Sequence, residues 1–365
     1  LPTAVCWWLM FLGCAWLGTL FACLLGMVRV AEAKLAIAPV WVLAVVYPAL
    51  ELVFPNLFPY HIGASQYRFS LITQIVELTG MSGLTALIGL VNGAVFEVIH
   101  ARLEGRKAVA LRWMVPMGTF AVVLIYGMVR IPQVEALLER SPRIEVALIQ
   151  SNVGSIERIK SPDGAVGKTL EMTHRALAEH PGIDWIVWPE TAIHPPIFHD
   201  RANLLPLVVP GRTTLTGALV WGAQGRLHNS ILSVAPEGSV SGRYDKVRLI
   251  PVSEQIPFGP RFAWLRRLTG GRNSFKPGTR FENLKAGDTQ VLPIICYEAI
   301  MPGLVRQFWR KAGAADVLVN VSNDSWFGDT QEPRIHLALS TFRAIETRRA
   351  MVRCANTGIS AIVDP

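Results

Sequence analysis

Residues 5–28 run without a single charged side chain. A helix needs roughly 20 apolar residues to cross the hydrocarbon core of a bilayer, and this run is long enough. A helix that is apolar on every side must bury itself in lipid or among other helices. Three further runs follow before residue 130. Residues 35–50 are somewhat short and end at Pro48 and Glu51; residues 81–99 hold Asn92 and, near the end, Glu97; residues 113–129 are uncharged. They predict about four crossings and a transmembrane helical domain over residues 1–130. Hydrophobic residues make up 51% of the chain, and the excess lies almost wholly in this part.

Charge placement orients the crossings. Arg29 and Lys34 lie between the first and second, and Arg102, Arg106, Lys107 and Arg112 between the third and fourth. The loop over 52–80 carries only Arg68. Lys and Arg concentrate in cytoplasmic loops, so the 52–80 loop and everything after Val129 are expected on the far side. That loop opens on Phe54-Pro-Asn-Leu-Phe-Pro-Tyr-His61, whose prolines and rings suit an interfacial or re-entrant segment. The formal net charge of +8 is scattered, with no basic run of the kind nucleic acid requires. Of the five cysteines, Cys6, Cys14 and Cys23 fall in the first apolar run, and no Cys-x-x-Cys spacing occurs. Neither a disulfide framework nor a zinc site is indicated. The chain begins at Leu1 and stops at Pro365 in a strand-like stretch, so we expect a piece of something longer at both ends.

A linker is expected over 131–142, and from residue 143 the pattern changes. Short β-branched runs at 144–150, 185–188, 214–222, 230–235, 291–296, 317–322 and 352–363 read as strands. Helical periods appear over 167–179, 300–312 and 335–351. Strands alternating with helices predict an α/β layered domain over 143–365.

The chemistry gathers at the ends of two of these runs and in one further stretch, 244–251. The strand Val291-Leu-Pro-Ile-Ile295 stops at Cys296, followed by Tyr297 and Glu298. A buried strand that delivers a thiol at its end can hold a nucleophile rigidly. Alone this proves little, because lone cysteines are usually buried and inert. Glu190 directly follows Trp185-Ile-Val-Trp-Pro189, a setting that raises a carboxyl pKa and suits a general base. Lys246, in Tyr244-Asp-Lys-Val-Arg-Leu-Ile-Pro251, can stabilise an oxyanion. Glu254 and Glu298 add carboxylates near the same sheet edge. Singly, each has a plainer reading: Glu190 as a helix N-terminal carboxylate, Lys246 as a solvated charge paired with Asp245.

Taken in order, Trp-Pro-Glu190-Thr, Tyr-Asp-Lys246-Val-Arg-Leu-Ile-Pro and Ile-Cys296-Tyr-Glu resemble the Glu-Lys-Cys triad of the nitrilase, or carbon–nitrogen hydrolase, superfamily. The stretch Asn320-Val-Ser-Asn-Asp-Ser-Trp-Phe-Gly328, then His336, Arg343-Ala-Ile-Glu346 and Ala355-Asn-Thr-Gly-Ile-Ser360, is similar to its membrane-embedded branch, the apolipoprotein N-acyltransferases. So is the multispanning region, with Gly63-Ala-Ser-Gln66 and Gln74. The resemblance runs from about Tyr47 onward. It implies an α-β-β-α sandwich on a helical membrane base, with Glu190 as general base, Lys246 stabilising the oxyanion, Cys296 as nucleophile and the Tyr297 backbone N–H completing the oxyanion hole. Glu254 matches the additional active-site carboxylate and Glu298 the one after the nucleophile. Asn323 and Trp326 are expected to shape the pocket wall. The implied reaction takes an acyl chain from a phospholipid to Cys296 as a thioester. It then passes to the free α-amino group of a diacylglyceryl-cysteine on a lipoprotein, in a bacterial inner membrane with the catalytic domain on the periplasmic side. No cofactor or metal is implied. Val252-Ser253 stands where the family usually has Phe-Gly, and the family generally carries more crossings before the domain and one after it.

The remaining conspicuous residues have structural readings. His336 is expected to be a hydrogen-bonding histidine; Arg343, Glu346 and Arg349 to form helix-face ion pairs; Cys354 to be buried filler; Trp185 and Trp188 to be core or rim aromatics. Two other functions fit the residues: a membrane-tethered amide or nitrile hydrolase, since water can also resolve a thioester, and a catalytically silent lipid-binding module. The crossings speak against the first and the intact triad against the second.

Overall fold

The computed structural model describes residues 3–56, 58–154, 157, 160–201, 203–205, 207–251, 253–255 and 275–365. They divide into two compact units, Leu1–Glu139 and Arg140–Pro365.

The first unit is helical: α1 (Thr3–Leu35), α2 (Pro39–Val53), α3 (Val76–Leu103) and α4 (Ala110–Arg140). Three of these, α1, α3 and α4, are long and apolar enough to cross a membrane. The second expected crossing, α2, is a shorter apolar helix of 15 residues, about 22 Å long at 1.5 Å per residue. Residues 131–140, expected as linker, continue α4. Helices α2 and α3 touch backbone to backbone because Gly89 and Gly93 face Leu43 and Val40. A Cβ would stand 2.8 Å from the Leu43 carbonyl oxygen at the first and 2.6 Å from the Val40 Cα at the second. Small residues four apart are the usual route to such close helix packing in lipid.

One buried carboxylate fastens the aromatic loop to this pair. Glu51, at the end of α2, accepts from the Ile62 N–H at 2.7 Å and from the Thr85 hydroxyl of α3 at 2.7 Å, with His61 Nδ1 at 3.1 Å. All three side chains are buried, and their mutual hydrogen bonds are what makes that burial tolerable.

The second unit holds two mixed sheets. Its strands are β1 (Val146–Leu148), β2 (Trp185–Val187), β3 (Ile193–Phe198), β4 (Thr213–Trp221), β5 (Leu227–Val234), β6 (Val240–Asp245), β7 (Leu284–Ala286), β8 (Thr289–Ile295), β9 (Val317–Ser322), β10 (Met351–Ala355) and β11 (Ala361–Val363). The first sheet runs β1-β2-β4-β5-β6, with β3 also on β4; the second runs β11-β10-β9-β8-β7. Within them β1, β2 and β4, and again β8, β9 and β10, pair in parallel. Parallel strands need both faces covered, and the sequence supplies that: β9 and β10 are buried at every position.

Helix α5 (Pro162–Glu179) covers the first sheet, laying Leu170, Ala176 and Leu177 on a core of Ile149, Ile186, Trp188 and Val220. Helices α6 (Pro302–Ala312) and α7 (Glu332–Thr347) belong to the second. The sheets are stitched together near their ends. The Asn356 side chain donates to the Val153 carbonyl at 2.7 Å, and the buried Cys354 thiol lies 3.2 Å from the Val187 carbonyl oxygen. Cys354 is therefore more than filler: it ties β10 to β2. Arg343 forms the expected i,i+3 pair with Glu346 at 2.9 Å and is itself fully buried, while Arg349 lies beyond α7 and donates to the Ala315 carbonyl.

Candidate active site

Four strand ends converge. Glu190 follows β2, Asn229 lies on β5, Lys246 follows β6, and Cys296 follows β8. Glu190 can enter because β4 carries Gly217 opposite it: a Cβ there would stand 2.4 Å from the Pro189 carbonyl oxygen and 2.6 Å from the Glu190 Cα.

Lys246 Nζ donates to Glu254 Oε1 at 2.8 Å and to Glu190 Oε1 at 3.3 Å. Asn229 Nδ2 donates to the same two carboxylates, at 2.7 Å to Glu190 and 3.2 Å to Glu254. The Glu254 Oε2 accepts from the Ile250 N–H at 2.8 Å. Glu190 and Lys246 are buried, the latter 1% exposed. An ammonium so deep survives only among carboxylates. Burial works against its charge, but Glu190 and Glu254 outweigh it and hold Lys246 firmly protonated. Burial lifts the Glu190 carboxyl above its ordinary range, with the Lys246 ammonium opposing and the Glu254 carboxylate adding to the rise. The Cys296 thiol is also pushed up, by burial first and the Glu190 carboxylate second, against the pull of Lys246. The resting group is thus a thiol whose proton needs a base, beside a carboxylate of raised basicity.

Cys296 stands in a strained turn. Its φ is +49°, in the left-handed region, and Thr191 after Glu190 has φ +53°. Non-glycine residues held there cost about 1–3 kcal/mol each and gather at functional sites. The short 3-10 turn Cys296–Ile300 carries Tyr297 and Glu298, both buried. Glu298 does not face the triad. Its Oε1 accepts from the Tyr244 hydroxyl at 2.8 Å and from the N–H groups of Val247 and Arg248 at 2.8 and 3.0 Å; its Oε2 accepts from the Ile295 N–H at 3.0 Å. It clamps the segment just after Lys246 to the strand that delivers Cys296, and so sets their separation.

On the other side of Cys296 lies a second buried polar cluster. His336 of α7 places Nε2 3.2 Å from the Cys296 carbonyl oxygen and Nδ1 3.0 Å from Asp324 Oδ1. Arg353 of β10 donates to Asp324 Oδ2 at 3.1 Å and also reaches Asn320 Oδ1. Asp324, His336 and Cys296 each bring an atom of metal-ligand type within 4.8 Å of the others. The Arg353 guanidinium already sits on that carboxylate, putting a positive charge where a cation would have to go. Asn323 Oδ1 accepts from the Ser325 N–H at 3.4 Å, a turn contact, and from Asn356 Nδ2 across the sheet ends at 3.0 Å. Trp326 stands on the surface, 62% exposed. Val252 lies outside the described residues. The sequence reading missed Asn229 and Arg353; the signal for Arg353 was a charged residue inside an otherwise apolar strand, whereas Asn229 stands between His228 and Ser230 near the start of β5.

Against known proteins, the family model described as carbon-nitrogen hydrolase matches residues 145–365. The chain is 32% identical over 329 residues to the apolipoprotein N-acyltransferase of Geobacter metallireducens, covering 84% of this chain and 60% of that relative. It is 29% identical over 348 residues to the one from Bdellovibrio bacteriovorus, covering 88% and 62%. The chain thus spans about three-fifths of the length of these curated relatives. Among solved structures, it is similar to a carbon-nitrogen hydrolase from Helicobacter pylori, with TM-score 0.40 and 16% identity over 60% of this chain and 73% of that one. The family model covers the whole two-sheet unit from the start of β1, and the chain belongs to the carbon-nitrogen hydrolase family.

Proposed function

We propose that the protein is a membrane N-acyltransferase that carries a fatty acyl chain from a phospholipid, through a thioester on Cys296, to the α-amino group of a diacylated lipoprotein. The observation that carries this reading is the pair of buried Glu190 and Lys246, joined by the half-buried Glu254, beside a strained cysteine, in a chain with three helices fit to cross a membrane. The names of its relatives agree with it.

In this reading Glu190 accepts the thiol proton as Cys296 Sγ attacks the ester carbonyl. Lys246 and the Tyr297 N–H meet the oxyanion, as preorganised donors do. The C–O bond breaks, the lysophospholipid hydroxyl leaves with the proton from Glu190, and the thioester remains. The amine then attacks, Glu190 takes its proton, and the C–S bond breaks as the thiol is re-formed. Glu254, acceptor for Lys246 and Asn229, keeps the ammonium in place. The membrane is a bacterial inner membrane crossed several times, with the catalytic unit on the periplasmic side. That orientation requires the 15-residue α2 to cross along with α1, α3 and α4; given that, the basic loops around Arg29 and Arg106 and the single cation of the 52–80 loop support it. Incubation with phospholipid and a diacylated lipopeptide bearing a free N-terminus, followed by mass analysis, is expected to give lysophospholipid and triacylated lipopeptide in equal amounts. Free fatty acid with unmodified lipopeptide would instead identify a hydrolase.

A further inference from the structure

The carbonyl of Cys296 and the N–H of Tyr297 belong to one peptide group. That group is planar and trans, so its C=O and N–H point in opposite directions, and whatever grips the carbonyl aims the N–H. The grip comes from His336, whose Nε2 lies 3.2 Å from the Cys296 carbonyl oxygen. A carbonyl oxygen only accepts, so Nε2 must carry a proton. Nδ1 has an acceptor, Asp324 Oδ1, at 3.0 Å and a donor, Arg353 Nη2, at 3.2 Å. With the ring neutral, Nδ1 accepts from Arg353; with the ring charged, it donates to Asp324. Burial and the Arg353 charge favour the neutral ring, and in both states the Nε2 proton stays on the Cys296 carbonyl.

The ring cannot swing away. His336 is 4% exposed, and Asp324 and Arg353 are 1% and 0% exposed. The Ser322 hydroxyl donates to Asp324 Oδ1 at 2.9 Å, and Asn320 Nδ2 donates to the Ile294 carbonyl at 3.2 Å. The chain of bonds thus crosses β10, β9 and the end of β8 and closes on the nucleophile's own carbonyl. It holds a residue whose φ of +49° is unfavourable by itself.

We infer that His336 is a positioning residue for the oxyanion hole: by donating to the Cys296 carbonyl it orients and polarises the Cys296–Tyr297 peptide group, so that the Tyr297 N–H meets the developing oxyanion as a stronger donor. A carbonyl that accepts a hydrogen bond makes the N–H of the same amide a better donor. The inference rests on the acyl-transfer reading above, which gives that N–H its role.

Two substitutions separate the two ends of the ring. His336→Gln has the reach of Nε2 and can still donate to the Cys296 carbonyl. His336→Asn has only the reach of Nδ1 and can meet Asp324 but not the carbonyl. Each is compared with the unsubstituted protein in two single-turnover rates: acylation of Cys296 by phospholipid, and alkylation of Cys296 by iodoacetamide, which forms no oxyanion. Losing a whole oxyanion donor costs about 10²–10³-fold, so losing its alignment is expected to slow acylation in His336→Asn by on the order of 10- to 100-fold. Acylation in His336→Gln should stay within about threefold, and alkylation should change by less than about threefold in both. Equal acylation rates in the two variants, or alkylation falling in step with acylation in His336→Asn, would overturn the inference. If the unsubstituted protein alkylates at Cys296 but never acylates there, the transfer reading falls and the inference with it.

Discussion

At the residue scale, the site is a set of groups whose protonation the fold dictates. Glu332 shows the consequence outside the triad. Burial, and next the Asp324 carboxylate, raise its pKa from 4.5 to about 7, against the opposing charge of Arg353. The folded protein therefore holds this proton more tightly than the unfolded chain does. The stability it contributes is complete below about pH 4.5 and is lost as pH rises through about 7. Glu332→Gln, permanently neutral, should leave the thermal midpoint unchanged near pH 4 and raise it at pH 8, by on the order of 1–3 kcal/mol in stability. An equal effect at both pH values would show that the side chain acts through its contacts and not its charge. Glu190 and Cys296 could be picked out in the sequence because each follows an apolar strand, and Lys246 because it precedes an apolar run. Glu298 could be named but not understood, since its role as a clamp depends on Val247 and Arg248, brought to it only by folding. Arg353 was hidden by its neighbours: a buried guanidinium in a strand becomes intelligible only when Asp324 and Asn320 are seen beside it.

At the scale of elements, β4 governs how deeply Glu190 reaches. It is buried at every position but its last, and Gly217 in its middle admits the turn after β2. Gly217→Ala would drive a Cβ into the backbone of Pro189 and Glu190, atoms that cannot move as a flexible side chain would. Overpacking of this kind costs about 1–3 kcal/mol, and displacing a catalytic group by 1 Å can cost about 10²-fold in rate. We expect a folded variant, by circular dichroism, whose acylation is slower by about that factor; a rate within threefold of the parent would mean that the turn shifts without moving Glu190. The strands with strong apolar runs were legible: β2, β4, β5, β8 and β9 all fall where the pattern put them. Strands β3, β6 and β7 were not, for physical reasons. β3 contains His194-Pro195-Pro196, β6 is half-buried and polar, and β7 has three residues. The last expected strand is two, because Gly358 at φ +97° turns the chain back and pairs β11 antiparallel to β10.

At the scale of the whole molecule, an apolar helical unit and a two-sheet unit of the carbon-nitrogen hydrolase family share one chain. The long apolar runs made α1, α3 and α4 legible. Hydropathy alone could not show that α2 is only 15 residues long, because its residues are as apolar as those of the longer helices. Orientation is checked by cysteine-accessibility labelling: positions near Arg106 should react only from the cytoplasm and positions near Gly238 only from the opposite face, and labelling of both from one side would refute it. The central claim is that Cys296 carries the acyl chain. Phospholipid alone, with no amine present, should leave the protein bearing one fatty acyl group on Cys296. Neutral hydroxylamine should remove it, and a diacylated lipopeptide should discharge it as a triacylated product. Cys296→Ala should abolish the adduct and Cys354→Ala should retain it. An acyl group mapped to Cys354, or an adduct cleared by water as fast as by the lipopeptide, would contradict the account.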